Sequence, residues 1–139
     1  MLEQMNGYCE SKAMEMSQYN QKYNIMLILT DGAIMDLDKT IDQVVRASDL
    51  PVSIVVIGVG RADFATMEAL DADLEPLHSN RFNKGASRDC VQFVEFEHYK
   101  NDPIGLAKEV LKEIPKQMIA YFNKMKIKPN DATPEVRAA

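Results

Sequence analysis

Two short stretches built almost wholly of apolar residues constrain the fold of this chain more than any other feature. Asn24–Thr30 has the sequence NIMLILT, and Val52–Gly58 has the sequence VSIVVIG. Continuous apolar runs of this length are typical of strands that are buried on both faces of a parallel sheet. The two stretches therefore predict neighbouring parallel strands, and they place Asn24–Thr30 in the middle of a sheet rather than at an exposed edge.

The segments before and after these strands carry helical patterns. Apolar residues at spacings of three and four predict a first helix within Met1–Tyr19. Asp38 is predicted to cap a second helix that ends near Ser48, and Asp63 is predicted to cap a short third helix. The second and third helices lie between strands, where parallel strands require crossovers.

The second half of the chain predicts one more strand and one long helix. Cys90–Phe96 is predicted as the third strand, and the aperiodic polar segment 71–89 before it as a long loop. Asp102 is placed to cap the last helix. Pro115 is expected to kink this helix or to begin a fresh one near Glu113, because proline removes a helical hydrogen bond.

The alternation of helices and strands predicts an α/β fold with three parallel strands and helices on both faces. The 139 residues correspond to one domain, and residues 130–139 are expected to form a disordered tail. Doubly wound sheets usually contain about five or six strands. We therefore expect that further strands lie upstream of this segment.

Composition excludes several classes of protein. The net charge of −5 argues against nucleic acid or anionic lipid as a non-specific partner. No apolar run approaches the roughly 20 residues that span a bilayer. The two cysteines, Cys9 and Cys90, provide no disulfide framework, lie in apolar patterns and are predicted to be inert core thiols in a reducing cytosol.

Asp31 is the strongest candidate for a functional side chain. It follows the first strand, and ligands of open parallel sheets bind beyond the carboxyl ends of the strands. A carboxylate in this position can hold a hard cation such as Mg²⁺. The alternative interpretation is that Asp31 only ends the strand and accepts backbone N–H bonds in the turn.

Other motifs are less specific. Gly58 and Gly60 lie between a strand and a helix, but Asp63 replaces the third glycine of a dinucleotide fingerprint, so the glycines are predicted to serve the turn. His78 and His98 do not have the spacing of zinc ligands with either cysteine and are predicted to be solvated.

Five segments closely resemble the C-terminal half of the copine A domain, and the resemblance extends over about residues 2–129. The run VQFV is specific to copines and their plant ubiquitin-ligase relatives within the von Willebrand factor A-type superfamily. In chain order the segments are YNIMLILTDG (23–32), LPVSIVVIGVG (50–60), DFATMEALD (63–71), RDCVQFVEF (88–96) and AKEVLKEIPKQ (107–117).

The resemblance implies a Rossmann-like six-stranded sheet with a metal-ion-dependent adhesion site, of which this chain has the second half, with about three strands and four helices. In that family an Asp-x-Ser-x-Ser loop, a Thr and the Asp of a Thr-Asp-Gly turn hold the cation. Only the last maps here, onto Asp31, with Thr30 and Gly32 shaping the turn. The resemblance therefore implies Mg²⁺ or Mn²⁺ binding for the complete domain and not for this chain alone.

The resemblance also implies a function, that of a non-enzymatic module which binds intracellular protein partners. Copines bind phospholipid in response to Ca²⁺ through C2 domains that are absent from this chain, so a cytoplasmic location with calcium-dependent membrane recruitment is expected of the parent protein. The alternative is the substrate-binding A domain of a RING-type ubiquitin ligase. Because Asn24–Thr30 lacks neighbours upstream, we expect the isolated chain to associate with itself.

Overall fold

The computed structural model of the chain describes residues 1–71 and 75–131. Most of the predicted tail, residues 132–139, lies outside the described residues. In chain order the elements are α1 (Leu2–Met14), β1 (Asn24–Thr30), α2 (Leu37–Ala47), β2 (Val52–Gly58), α3 (Ala65–Glu68), β3 (His78–Ser79), β4 (Lys84–Gly85), β5 (Val91–Glu95), a 3-10 helix (Phe96–Tyr99), α4 (Pro103–Leu111) and α5 (Ile114–Lys124).

Three of the strands form a parallel sheet in the order β1-β2-β5. The register of β1 on β2 runs from Asn24 opposite Val52 to Thr30 opposite Gly58. β2 lies in the centre, and all seven of its residues are buried. The structure confirms the predicted α/β fold with parallel strands, because both apolar runs form neighbouring strands of one sheet.

Helices pack on both faces of β2, whose side chains alternate between two apolar clusters. Ile54 and Val56 face the larger cluster, which includes residues of α1, α2 and α3. Val55 and Ile57 face the smaller cluster, in which they contact Ile114 of α5. The continuous apolar sequence of β2 is therefore explained by burial on both faces.

β1 is the outer strand of this sheet, and one of its faces is exposed. Ile25, Leu27 and Leu29 are 56%, 57% and 66% exposed. The register places these side chains on the same face as Val55 and Ile57, where α5 packs against β2. The prediction that β1 is buried on both faces is therefore wrong for the described residues, because the helix that covers β2 leaves the neighbouring strand uncovered.

The first turns of α2 and α3 differ slightly from the prediction. Asp36 rather than Asp38 caps α2, because Asp36 Oδ1 accepts the backbone N–H of Lys39 at 3.1 Å. Asp63 Oδ1 accepts the N–H of Ala65 at 3.0 Å, so Asp63 precedes α3 in a tight turn and is not the residue at its cap. Each carboxylate satisfies a backbone donor that has no partner within its helix.

The last helical segment is divided in two, as the proline predicts. Asp102 caps α4 by accepting the N–H of Gly105 at 2.9 Å. α5 begins after its N-cap residue Glu113, with Pro115 in its first turn. The predicted fresh helix near Glu113 is therefore confirmed, since proline is tolerated in the first turn, where no N–H is needed.

The segment predicted as a long loop contains a short antiparallel hairpin formed by β3 and β4. The hairpin is anchored on α2, because Ser79 Oγ donates to Asp42 Oδ1 at 2.5 Å and both residues are buried. Residues 72–74 of the predicted loop lie outside the described residues. The third strand is shorter than predicted, since it spans Val91–Glu95 and Phe96 begins the 3-10 helix.

Candidate functional site

The carboxyl end of β1 is fixed by its neighbour strand and by the side chain of Thr30. The carbonyl oxygen of Thr30 accepts the N–H of Val59 at 2.8 Å. Thr30 Oγ1 accepts the N–H of Gly32 at 3.4 Å and lies 3.3 Å from the carbonyl oxygen of the same glycine. The turn that presents Asp31 is therefore held by the residues on either side of it.

The Asp31 side chain is exposed beyond the end of β1. Within residues 1–71 and 75–131 its carboxylate makes no hydrogen bond and no ion pair. The turn does not depend on it, because Thr30 Oγ1 receives the N–H of Gly32 instead. The interpretation that Asp31 serves to accept backbone N–H bonds is therefore not supported.

A carboxylate without a protein partner is a suitable oxygen donor for a hard cation. The described part of the chain contains no group of three or more His, Cys, Asp or Glu residues that could hold a metal ion. Asp31 could therefore supply one ligand, and its role as a metal ligand stays a prediction.

Both glycines of the neighbouring turn have structural reasons to be glycine. A Cβ at Gly58 would lie 2.9 Å from the ring of Phe64, which is buried beneath the turn. Gly60 has φ of +87°, a backbone conformation that other residues rarely adopt. These observations agree with the prediction that the glycines shape the turn.

The cysteines and histidines have the environments that the sequence predicts. Cys9 and Cys90 are free and buried. Burial raises the pKa of the Cys9 thiol and raises that of Cys90 to about 12, so neither thiol is poised as a nucleophile. His78 is exposed on β3, and His98 is exposed with Nε2 3.7 Å from a carboxylate oxygen of Glu95.

A partly buried cluster around Arg88, at the amino ends of the strands, was not predicted. Arg88 Nη2 donates to the carbonyl oxygens of Leu50 and Val52 at 2.5 and 2.7 Å. The guanidinium carbon lies 5.8 Å from the ring centre of Tyr23 and 5.6 Å from that of Tyr121. The arginine thus links the start of β2 to the aromatic side chains beside α5.

A chain of polar side chains continues from this cluster. The Tyr23 hydroxyl lies 2.8 Å from Ser53 Oγ, which donates to Gln117 Oε1 at 2.6 Å. Gln117 Nε2 in turn donates to Asp89 Oδ2 at 2.9 Å. The one signal in the sequence is Ser53, a hydroxyl residue inside an otherwise apolar strand, but its partners come from distant segments. These contacts join β2, α5 and the segment before β5 to one another.

The fold and the candidate site together define the class of domain. A parallel sheet with helices on both faces and a carboxylate beyond the end of β1 is consistent with part of a Rossmann-like A-type domain. A scan against family models matches the model described as Copine over residues 5–130.

Sequence comparison gives the same result. Copine-A of Dictyostelium discoideum is 50% identical over 114 residues, which are 82% of this chain and 19% of the relative. Copine-E of the same organism is 51% identical over 112 residues, which are 80% of this chain and 19% of the relative. The chain belongs to the copine family, and it spans about a fifth of the length of these relatives.

Within the described part of the chain, no helix has both the length and the apolar character needed to cross a bilayer.

Proposed function

We propose that this chain is a non-enzymatic protein-interaction module, part of a copine A domain, which binds intracellular protein partners around the carboxyl end of β1. The observation that carries the proposal is the Asp31 carboxylate, which is exposed and has no protein partner among the described residues. Membership of the copine family supports the assignment to this class of module.

In the complete domain, Asp31 would hold Mg²⁺ or Mn²⁺ together with ligands from outside this chain. A partner's oxygen would then complete the coordination shell, because Mg²⁺ usually takes only one or two carboxylates from its protein. Ca²⁺-dependent recruitment to phospholipid would belong to C2 domains of a longer copine, and the chain itself would act in the cytoplasm. The bonds between Thr30 and Gly32 restrain the backbone on either side of Asp31, which limits the cost of ordering this turn on binding.

The test uses a complete A domain that carries residues 1–139 and compares Asp31→Ala with wild type. Proteins captured from a cell extract in Mg²⁺ and in EDTA are quantified by mass spectrometry. We expect the Mg²⁺-dependent partners of the wild type to be lost in Asp31→Ala. Circular dichroism should show an unchanged fold, because the Asp31 side chain makes no contact that stabilises the turn.

Asp38→Ala is the matched control. Asp38 is also an exposed aspartate on the segment after β1, so the variant makes the same change in net charge away from the strand end. It should keep the Mg²⁺-dependent partners. If Asp31→Ala captures the same partners as the wild type, Asp31 is not part of the site.

A further inference from the structure

A cleft of about 480 Å³ lies between α2 and the β3–β4 hairpin. Val44 of α2 faces the sheet, and Arg46, two residues further on, lies on the opposite side of the helix and lines the cleft. Further strands would join the sheet layer beside β1, whereas the cleft opens on the far side of a helix that covers this layer. Its walls come from α1, from α2 with the turn after it, and from the hairpin.

The hairpin wall of the cleft is held in place by hydrogen bonds and by an ion pair. Ser79 Oγ donates to the buried carboxylate of Asp42 at 2.5 Å and accepts the N–H of Phe82 at 3.1 Å. Lys84 forms an ion pair with Asp49 in the turn after α2. The side chains of this wall are therefore presented by a backbone that is already ordered, which lowers the entropic cost of binding.

Three cationic side chains line the cleft, and they differ in their partners. Arg46 donates to Glu10 through Nε and Nη2, both at 2.6 Å, and Lys84 is paired with the carboxylate after α2. Arg81 has no carboxylate partner within the described residues, and its guanidinium carbon lies 5.5 Å from the ring centre of Phe82. Arg81 is therefore the cation of this cleft that is available to an anion.

The charges around Arg81 also favour an anion. A hydrogen bond to Asp36 raises the pKa of the exposed Lys39, and the positive charge of Arg81 works against this rise. Two like charges near each other repel, and a bound anion relieves this repulsion. This side of the cleft therefore attracts negative charge, although the whole chain has a net charge of −5.

We propose that this cleft binds an acidic peptide segment of a partner protein, with a carboxylate on Arg81 and an apolar side chain against Phe82. A guanidinium can form two parallel hydrogen bonds with one carboxylate. The Phe82 side chain is 43% exposed, so its ring is accessible beside the arginine. Arginine and aromatic residues are among the types that contribute most binding energy at protein interfaces.

The acidic side chains of the cleft disfavour a densely charged ligand. Glu3 and Asp49 line it together with the cations. A nucleic acid or an anionic bilayer would bring several phosphates against these carboxylates, whereas a peptide places a single carboxylate on Arg81. A concave surface also fits a peptide better than a flat bilayer. The proposal does not involve cation binding at Asp31, so the experiments are carried out in EDTA.

The first experiment selects ligands from a phage-displayed library of random short peptides, with the complete A domain that carries residues 1–139 as bait. The wild type should enrich peptides that combine Asp or Glu with an apolar residue, and Arg81→Ala should not enrich them. Arg61→Ala is the matched control, because Arg61 is an exposed arginine in the turn after β2, outside the cleft. A wild type that enriches no acidic peptide would overturn the proposal, and so would an Arg81→Ala variant that enriches the same peptides.

The second experiment measures the affinity of an enriched peptide by fluorescence anisotropy. Arg81→Ala should raise the Kd at least roughly tenfold. Arg81→Lys should raise it less, because lysine keeps the charge but not the two parallel donors, and this variant remains informative if Arg81→Ala does not fold. Asp31→Ala should bind the peptide as the wild type does, which separates this cleft from the proposed cation site.

The same variants are sedimented with vesicles of phosphatidylserine and phosphatidylcholine to test a membrane as the ligand. The wild type and Arg81→Ala should differ in peptide binding and not in vesicle binding. Vesicle binding that requires Arg81, in a domain that binds no acidic peptide, would overturn the proposal in favour of a lipid surface.

Discussion

The two tyrosines that flank Arg88 should respond in opposite directions when their hydroxyl groups are removed. The Tyr23 hydroxyl lies 2.8 Å from Ser53 Oγ. The hydroxyl of Tyr121 is buried, and within the described residues it has no hydrogen-bond partner. Tyr23→Phe and Tyr121→Phe are therefore the same chemical change in two different environments.

The magnitudes follow from these environments. A buried hydrogen bond contributes about 1 kcal/mol to the free energy of unfolding, so Tyr23→Phe should lower it by about that amount. A buried hydroxyl without a partner costs about 1–3 kcal/mol of desolvation. Tyr121→Phe should therefore raise the free energy of unfolding by about 1 kcal/mol. Both rings remain against the guanidinium of Arg88, so the cation–π contacts change little.

Thermal unfolding followed by far-UV circular dichroism is the appropriate assay, because the chain contains no tryptophan and the substitutions change tyrosine fluorescence. A change of 1 kcal/mol corresponds to roughly 3–5 °C in a domain of this size. The variants must be compared at one protein concentration, since self-association stabilises by mass action. A loss of stability in Tyr121→Phe as large as that in Tyr23→Phe would refute the reasoning and would show that the Tyr121 hydroxyl has a partner.

Two further predictions concern titratable groups. Burial alone would raise the pKa of Asp49, but hydrogen bonds from Lys124 and Lys84 lower it to about 2. Because the folded pKa is below the unfolded value, the carboxylate stabilises the fold above about pH 4, and this contribution is lost as the pH falls towards 2. Asp49→Asn should therefore lower the free energy of unfolding at pH 7 by about 1 kcal/mol, a figure discounted because a third of the side chain is exposed. The same substitution should have little effect near pH 2. Urea titrations at both pH values would check this, and equal effects at the two pH values would contradict the assignment. Cys9 and Cys90 should react with a thiol reagent only as fast as the chain unfolds, and fast labelling of either thiol in the native protein would contradict their burial.

The sequence contained enough information to predict the sheet because its two apolar runs are more uniform than any helical pattern in the chain. The division between α4 and α5 was equally predictable, because proline removes a specific hydrogen bond. The β3–β4 hairpin was missed because each of its strands has two residues, too few for any period to show. Its position depends on the long-range contact between Ser79 and Asp42.

The exposure of β1 was predicted wrongly for a related reason. Hydrophobic sequence indicates which surfaces favour burial, but it does not indicate whether the covering element lies within the described residues. Position after a strand was sufficient to select Asp31 as a candidate. It was not sufficient to show that Thr30 holds the turn, because that depends on rotamers and distances. The Arg88 cluster could not be predicted, since its members come from segments that are far apart in the chain.

The position of β2 between two strands and two helical layers has a consequence for mutation. Every side chain of this strand is buried, so a charged replacement at any of its seven positions would enter the core. Within the described residues, three alternate positions of β1 face solvent, and polar replacements there would have little cost to the folding of this chain. Two strands that are both largely apolar therefore differ greatly in how much random substitution they tolerate, and a mutational scan of the chain should separate them at once.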